Sequence, residues 1–250
     1  MDLGISGRNA ALAAASDGLG FGSAHALVEA GVRVAICGRD SGKVAAAIDR
    51  LGGADHAVGI VADVGTPEGA TGFVEAAIAA LGSVDILVPN AGGPPAGTFA
   101  STDLGLYEPA LSLNLLSTVA MCKAAVPPMQ QRGWGRVVAI TSSTVRQPSP
   151  VLILSNTARA GATAFLKTLA TEVARDGVTV NSVQPGSHDT TRLRTLHGDD
   201  LSRAAAAVPA GRVGSADDFG AVVTFLCSEQ AKFVTGVALP VDGGACSGLQ

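Results

Sequence analysis

One feature constrains this chain more than any other. Short runs rich in small and β-branched residues recur between longer Ala-rich stretches of helical spacing. The pattern predicts strands near 10–14, 32–37, 57–62, 84–89, 135–141, 178–184 and 237–241. It predicts helices over 19–30, 41–51, 67–81, 106–132, 151–176 and 216–228, several opened by Ser, Asp or Pro at a cap position. Strand runs such as Val32-Arg33-Val34-Ala35-Ile36 are almost continuously apolar, as a parallel sheet requires when helices cover both its faces. The expected fold is therefore α/β, a doubly wound parallel sheet that binds its ligand at the carboxyl edge. No Ser/Gly/Pro-rich linker divides the 250 residues, so one domain, 1–250, is expected. The stretch 187–212 has weaker periodicity and more charge, and is predicted to be a mobile lid.

Composition removes several functional classes. The net charge is −4 and no Lys/Arg run occurs, so nucleic-acid binding is not expected. Cys37, Cys122, Cys227 and Cys246 lie far apart, without C-x-x-C spacing, and read as reduced, mostly structural thiols. His25, His56 and His197 have no paired spacing with Cys or carboxylates, so no metal site is expected. The opening Met1-Asp2-Leu3 precedes no basic-then-apolar segment, and no apolar run approaches the ~18 residues of a membrane span. A cytoplasmic protein without membrane partners is expected.

The first strand-to-helix turn reads Ala13-Ala14-Ala15-Ser16-Asp17-Gly18-Leu19-Gly20. Gly18 and Gly20 would let backbone approach a pyrophosphate at the helix N-terminus. Gly38-Arg39 follows the second strand, Asp63-Val64 the third, Pro89-Asn90-Ala91-Gly92 the fourth, and Pro185-Gly186-Ser187-His188-Asp189-Thr190 the sixth. In this order, and with Val241-Asp242-Gly243-Gly244 near the C-terminus, the set resembles the short-chain dehydrogenases/reductases across residues 8–244, specifically the β-ketoacyl carrier-protein reductase type. The resemblance implies a Rossmann-type domain. It also implies a cofactor site drawn from Ser16, Gly18, Leu19, Gly20, Arg39, Asp63, Val64, Asn90, Ala91, Gly92, Pro185, Gly186 and Thr190. The acid that would grip an NAD ribose 2′-hydroxyl is absent at Gly38. Arg39 is placed for charge-assisted bonds to a 2′-phosphate, which favours NADP (NADPH).

The family delivers a proton from a Tyr phenol whose pKa is lowered by a Lys in Y-x-x-x-K, beside a Ser and an Asn. Asn114 and Ser142 match the last two. Thirteen residues after Ser142, however, the chain reads Ser155-Asn156-Thr157-Ala158-Arg159, so Ser155 stands for Tyr and Arg159 for Lys. The single tyrosine, Tyr107, lies seven residues before Asn114 and reads as helix packing. Asn114, Ser142, Ser155 and Arg159 thus form the candidate catalytic set, a cluster of donors suited to an oxyanion. His188 is the one nearby group with an ordinary pKa near 6.5 and could act as acid or base, but is expected to be a solvated loop histidine. The implied activity is an atypical NADP-dependent oxidoreductase acting on a small or medium carbonyl or alcohol. The alternatives are a non-redox enzyme on the same scaffold, similar to halohydrin dehalogenases or a lyase, or a catalytically silent nucleotide-binding protein. The resemblance also implies a homo-oligomer, a tetramer paired through 106–132, 151–176 and the 237–241 region.

Overall fold

The computed structural model of the chain describes residues 2–249, and for Leu196 and His197 the backbone alone. Its strands are β1 (Asn9–Leu12), β2 (Arg33–Gly38), β3 (Ala57–Val61), β4 (Ile86–Val88), β5 (Gly135–Ile140), β6 (Val178–Pro185) and β7 (Ala238–Val241). They pair in parallel, in the order β3-β2-β1-β4-β5-β6-β7. The winding reverses between β1 and β4, which opens a crevice at their carboxyl ends.

Successive strand side chains point to opposite faces, and the sequence fills both. Ala11, Ala35, Cys37, Leu87, Val137 and Val180 face one core with α3 (Pro67–Leu81), α5 (Ser117–Arg132) and α6 (Ile153–Val173). Leu12, Val34, Ile36, Val88, Val138 and Val183 face the other with α1 (Gly18–Glu29), α2 (Ser41–Arg50) and α9 (Ala216–Cys227). Helices α1 and α9 cross at glycines. A Cβ on Gly22 would collide with the Ala216 carbonyl, and one on Gly220 with the Gly22 carbonyl, so any larger residue forces the helices apart.

Two predicted helices are more complex than expected. The stretch 106–132 divides into α4 (Tyr107–Leu111), a π-helical turn Ser112–Leu116, and α5. The extra residue per turn swings Asn114 inward, where it is buried. The stretch 151–176 is α6 followed by a 3₁₀ turn, Ala174–Asp176, that ends at left-handed Gly177. The helical run Leu104–Arg132 is long and apolar enough, by length and composition, to cross a membrane, and half of its apolar window is buried inside the domain.

Within the predicted lid lie α7 (Thr191–His197) and α8 (Ser202–Ala206). The side chain of His197 lies outside the described residues. The segment's start is tied down: Gly214 donates to the Ser187 carbonyl (2.9 Å) and Asp189 donates to that of Gly214 (2.8 Å). This corrects the expectation for His188, which is buried at 4% exposure and not solvated. Its ring stands edge-on to Phe219 at 5.4 Å, with Nδ1 3.2 Å from the Gly186 carbonyl. A neighbour 26 positions further along the chain covers it, which local sequence does not display.

Candidate active site

The crevice holds two adjoining cavities. The first, of about 560 Å³, runs from the β1 turn past the ends of β2 and β3, and Ser16, Arg39, Asp63, Val64 and Gly92 line it. Gly38 is closely approached by Ser16, since a Cβ there would lie 2.8 Å from Ser16 Oγ, so a larger residue at this position would require the serine hydroxyl to rotate away. Arg39 is joined by Lys43, one helical turn on, and neither side chain makes a hydrogen bond or ion pair among the described residues. Asp40 caps α2 through the Lys43 N–H (2.9 Å), and Asp63 accepts from the Gly65 N–H (2.9 Å). Two unpaired cations therefore face this cavity.

Between the cavities lies the N-terminus of α1, capped by Asp17, whose Oδ1 accepts from the Gly18 N–H (2.8 Å). Gly18 has φ +57°, and Gly20 approaches so closely that a Cβ would lie 2.7 Å from the Ala14 carbonyl oxygen. Asn90 Nδ2 donates to that same oxygen (3.1 Å), tying the β4 end to the turn. Ala14 itself has φ +46°, the one positive φ at a non-glycine among the described residues. Its methyl group occupies a backbone conformation suited to glycine and lines the first cavity. The free N–H groups of the helix start and their positive dipole end suit a pyrophosphate.

The second cavity, of about 430 Å³, brings together Gly18, Leu19, Gly20, Asn90, Ala91, Gly92, Ser142, Ser155, Arg159, Pro185, Gly186 and Thr190. Ser142 ends β5 and caps a short 3₁₀ turn, accepting from the Thr144 N–H (3.2 Å) and sharing a hydrogen bond with Thr144 Oγ1 (2.9 Å). Ser155 and Arg159 sit one turn apart on α6, both facing the cavity. Arg159 Nη1 donates to the carbonyls of Ile140 (2.9 Å) and Thr141 (3.1 Å), and Nη2 to that of Ala91 (3.4 Å). All three partners are neutral. Burial, and secondarily the charge of Arg192, pull its pKa down to about 10.

Asn114 lines neither cavity. It stands behind the wall, its Nδ2 donating to the Gly92 carbonyl (2.8 Å) while its buried Oδ1 has no partner. Such a buried, unpartnered oxygen suits an ordered water. Tyr107 lines neither cavity. Burial, opposed by the Gly186 carbonyl and the nearby Asp218, lowers the His188 pKa, which favours the neutral ring.

Sequence reasoning missed Lys43, Arg192 and Asp17. Lys43 was detectable as the residue one helical turn beyond Arg39. Arg192 was not, since it reaches the site only because Thr191 Oγ1 donates to Asp17 Oδ2 (2.9 Å) and docks α7 on the turn. Among the described residues, no group of three or more His, Cys, Asp or Glu is placed to hold a metal ion.

A family model described as enoyl-(acyl carrier protein) reductase matches residues 13–246. The chain is 33% identical over 244 residues to dehydrogenase/reductase SDR family member 4 of Bos taurus, covering 96% of this chain and 88% of that one. It is 31% identical over 242 residues to 3-oxoacyl-(acyl-carrier-protein) reductase FabG of Vibrio cholerae, covering 97% and 98%. Among solved structures, L-sorbose reductase from Gluconobacter frateurii, complexed with NADPH and L-sorbose, superposes with TM-score 0.92 at 30% identity over the whole of both chains. YwfH, an NADPH-dependent reductase involved in bacilysin biosynthesis, shares the fold at TM-score 0.92 and 23% identity, covering 98% of this chain and all of that one.

Proposed function

The chain belongs to the short-chain dehydrogenase/reductase family and is an oxidoreductase of that type, and on this premise we propose that it is NADP-dependent and reduces or oxidises a small or medium carbonyl/alcohol pair at an atypical Asn114-Ser142-Ser155-Arg159 site. The observation that carries the cofactor reading is the pair Arg39 and Lys43, both without partners at the cavity where an adenosine 2′-phosphate would fall. Gly38, which offers no carboxylate to a ribose 2′-hydroxyl, supports the same choice. So does the NADPH complex of the L-sorbose reductase.

The residues fit the dinucleotide along the crevice: Ser16, Arg39, Lys43, Asp63 and Val64 at the adenosine end, Gly18, Leu19 and Gly20 at the pyrophosphate, and Asn90, Pro185, Gly186 and Thr190 toward the nicotinamide. Bound NADPH supplies the hydride. The chain's own part is electrostatic. As charge grows on the substrate oxygen, the Ser142 and Ser155 hydroxyls and the two Arg159 N–H groups not held by carbonyls can donate to it. A serine hydroxyl is too weak an acid to release a proton as an activated phenol does, so the proton comes from water, for which the orphaned Asn114 Oδ1 offers an anchor.

The test is a fluorescence titration of wild type and Arg39→Ala with NADPH and NADH. NADPH should bind at least about tenfold tighter, the effect of one charge-assisted contact of ~1.4 kcal/mol, and Arg39→Ala should reduce the difference, with Lys43 retaining the remainder. Equal affinity in wild type would remove the NADP assignment. The buried guanidinium one turn from Ser155 also favours a second, non-redox reading, separable because its product would form without nicotinamide. Apolar side chains left exposed at Phe233, Val237, Leu239 and Leu249 support self-association, for which a tetramer is the proposed state, checked by sedimentation.

A further inference from the structure

Two guanidinium groups face the smaller cavity, and no carboxylate pairs with either among the described residues. Arg159 is set into its floor on three neutral carbonyls. Arg192 reaches over from α7 on the opposite side. It rests on the carbonyls of Gly93 and Pro94 by two bonds of 3.4 Å, long enough to be exchanged readily for a charge-assisted pair. The one carboxylate lining the cavity, Asp17, is occupied at both oxygens by the Gly18 N–H and the Thr191 hydroxyl. Arg159 is the buried one of the two, and proteins rarely leave a buried charge without a counter-charge, because its desolvation is then uncompensated.

We propose that Arg159 and Arg192 form a clamp for an oxyanion carried by the substrate, so that the carbonyl compound taken by this site is a keto acid with its carboxylate close to the reacting carbon. This deepens the proposed oxidoreductase reading and rests on it for the identity of the pocket. An oxyanion could also come from the cofactor pyrophosphate. The substrate is favoured by position, since Arg159 lies one turn from Ser155 at the reacting end while the pyrophosphate belongs to the start of α1. Leu152 and Leu193 give the same cavity an apolar wall, which suits the hydrocarbon part of such an acid.

Calorimetry on the protein saturated with NADP⁺, using 2-oxovalerate against its amide and 4-oxovalerate against its methyl ester, tests the clamp. At least one acid should bind about tenfold or more tighter than its neutral counterpart, the range of one to two charge-assisted contacts. Arg192→Gln, an exposed position on α7, should reduce that ratio below about threefold while changing NADP⁺ affinity less than about threefold. Arg159→Gln, with folding checked by circular dichroism, should also lower the ratio. The proposal fails if no acid is preferred over its neutral counterpart. It also fails if Arg192→Gln weakens NADP⁺ and leaves the acid preference intact, because the arginine then serves the pyrophosphate. If NADP⁺ does not bind at all, the cofactor reading falls, and the clamp stands or falls on the same ratio measured without it.

Discussion

Restoring the family's phenol and ammonium to this scaffold is the sharpest probe of its chemistry. A positioned acid contributes about 10²–10⁴-fold, or ~3–5 kcal/mol, so wild-type turnover of simple ketones should fall short of ordinary reductases by about that factor. In the double variant Ser155→Tyr with Arg159→Lys, the new phenol would project from the first turn of α6 into a cavity of about 430 Å³, enough room for a ring. The lysine would surrender some of the three carbonyl bonds that Arg159 makes, at about 1 kcal/mol each. That loss is tolerable for a domain of this size. We expect the double variant to regain about 10²-fold in kcat/KM on a ketone panel, with each single variant within about threefold of wild type. Tyr alone would have beside it the Arg159 guanidinium, held on three carbonyls, in place of a lysine ammonium free to reach the phenol, and Lys alone has no phenol to act on. Steady-state NADPH oxidation by all four proteins is the assay. Ordinary rates in wild type would mean that another group donates the proton. A double variant that binds NADPH yet stays inert would mean that the pocket was shaped for different chemistry.

Three further outcomes follow from the geometry. Ala14→Gly should relieve the left-handed strain of ~1–2 kcal/mol, less ~0.5–1 kcal/mol for glycine's added chain entropy; a Tm rise of about 1–3 °C is expected, while Ala14→Val should lower it. His188, with its pKa held below that of the unfolded chain, should contribute stability that is present above pH ~6.5 and lost as pH falls toward its folded value. Urea midpoints at pH 7.5 and pH 5 should therefore differ more in wild type than in His188→Gln, and equal differences would refute the assignment. Burial pushes the Cys37, Cys122 and Cys227 thiols up to about 12, so a thiol reagent at pH 8 should titrate at most Cys246 in the native protein and all four in denaturant. Rapid native reaction of more than one thiol would show that β2, α5 or α9 opens easily.

The sheet was legible because its cause is local. A strand covered on both faces must be apolar throughout, as Val34-Ala35-Ile36 is, and a helix between two such strands must be amphipathic. The glycines and the Ser155-Arg159 spacing were legible for the same reason, since a turn or one helical repeat fixes their relation. Burial of His188 was not, because Gly214 and Phe219 cover it from a distant stretch of chain. The inward swing of Asn114 depends on a π-helical turn, Ser112–Leu116, whose own residues include no proline or glycine. Arg192 joined the cavity only through the docking of α7 on Asp17, a contact across 174 positions.

The glycine crossing of α1 and α9 carries a consequence for how the molecule is made. The first βα unit holds the nucleotide end of the crevice, yet the Gly22 face of its helix packs on Ala216 and Gly220, which are synthesised long after it. While the chain is still emerging from the ribosome, that helix has its sequence but not its partner, and Phe21, Ala24 and Leu27 have no α9 to complete the core around them. Nucleotide capture therefore waits for α9. A fragment ending before α9 should be prone to aggregation and unable to hold a dinucleotide, and folding should be slow for a protein of its size, as long-range closure demands.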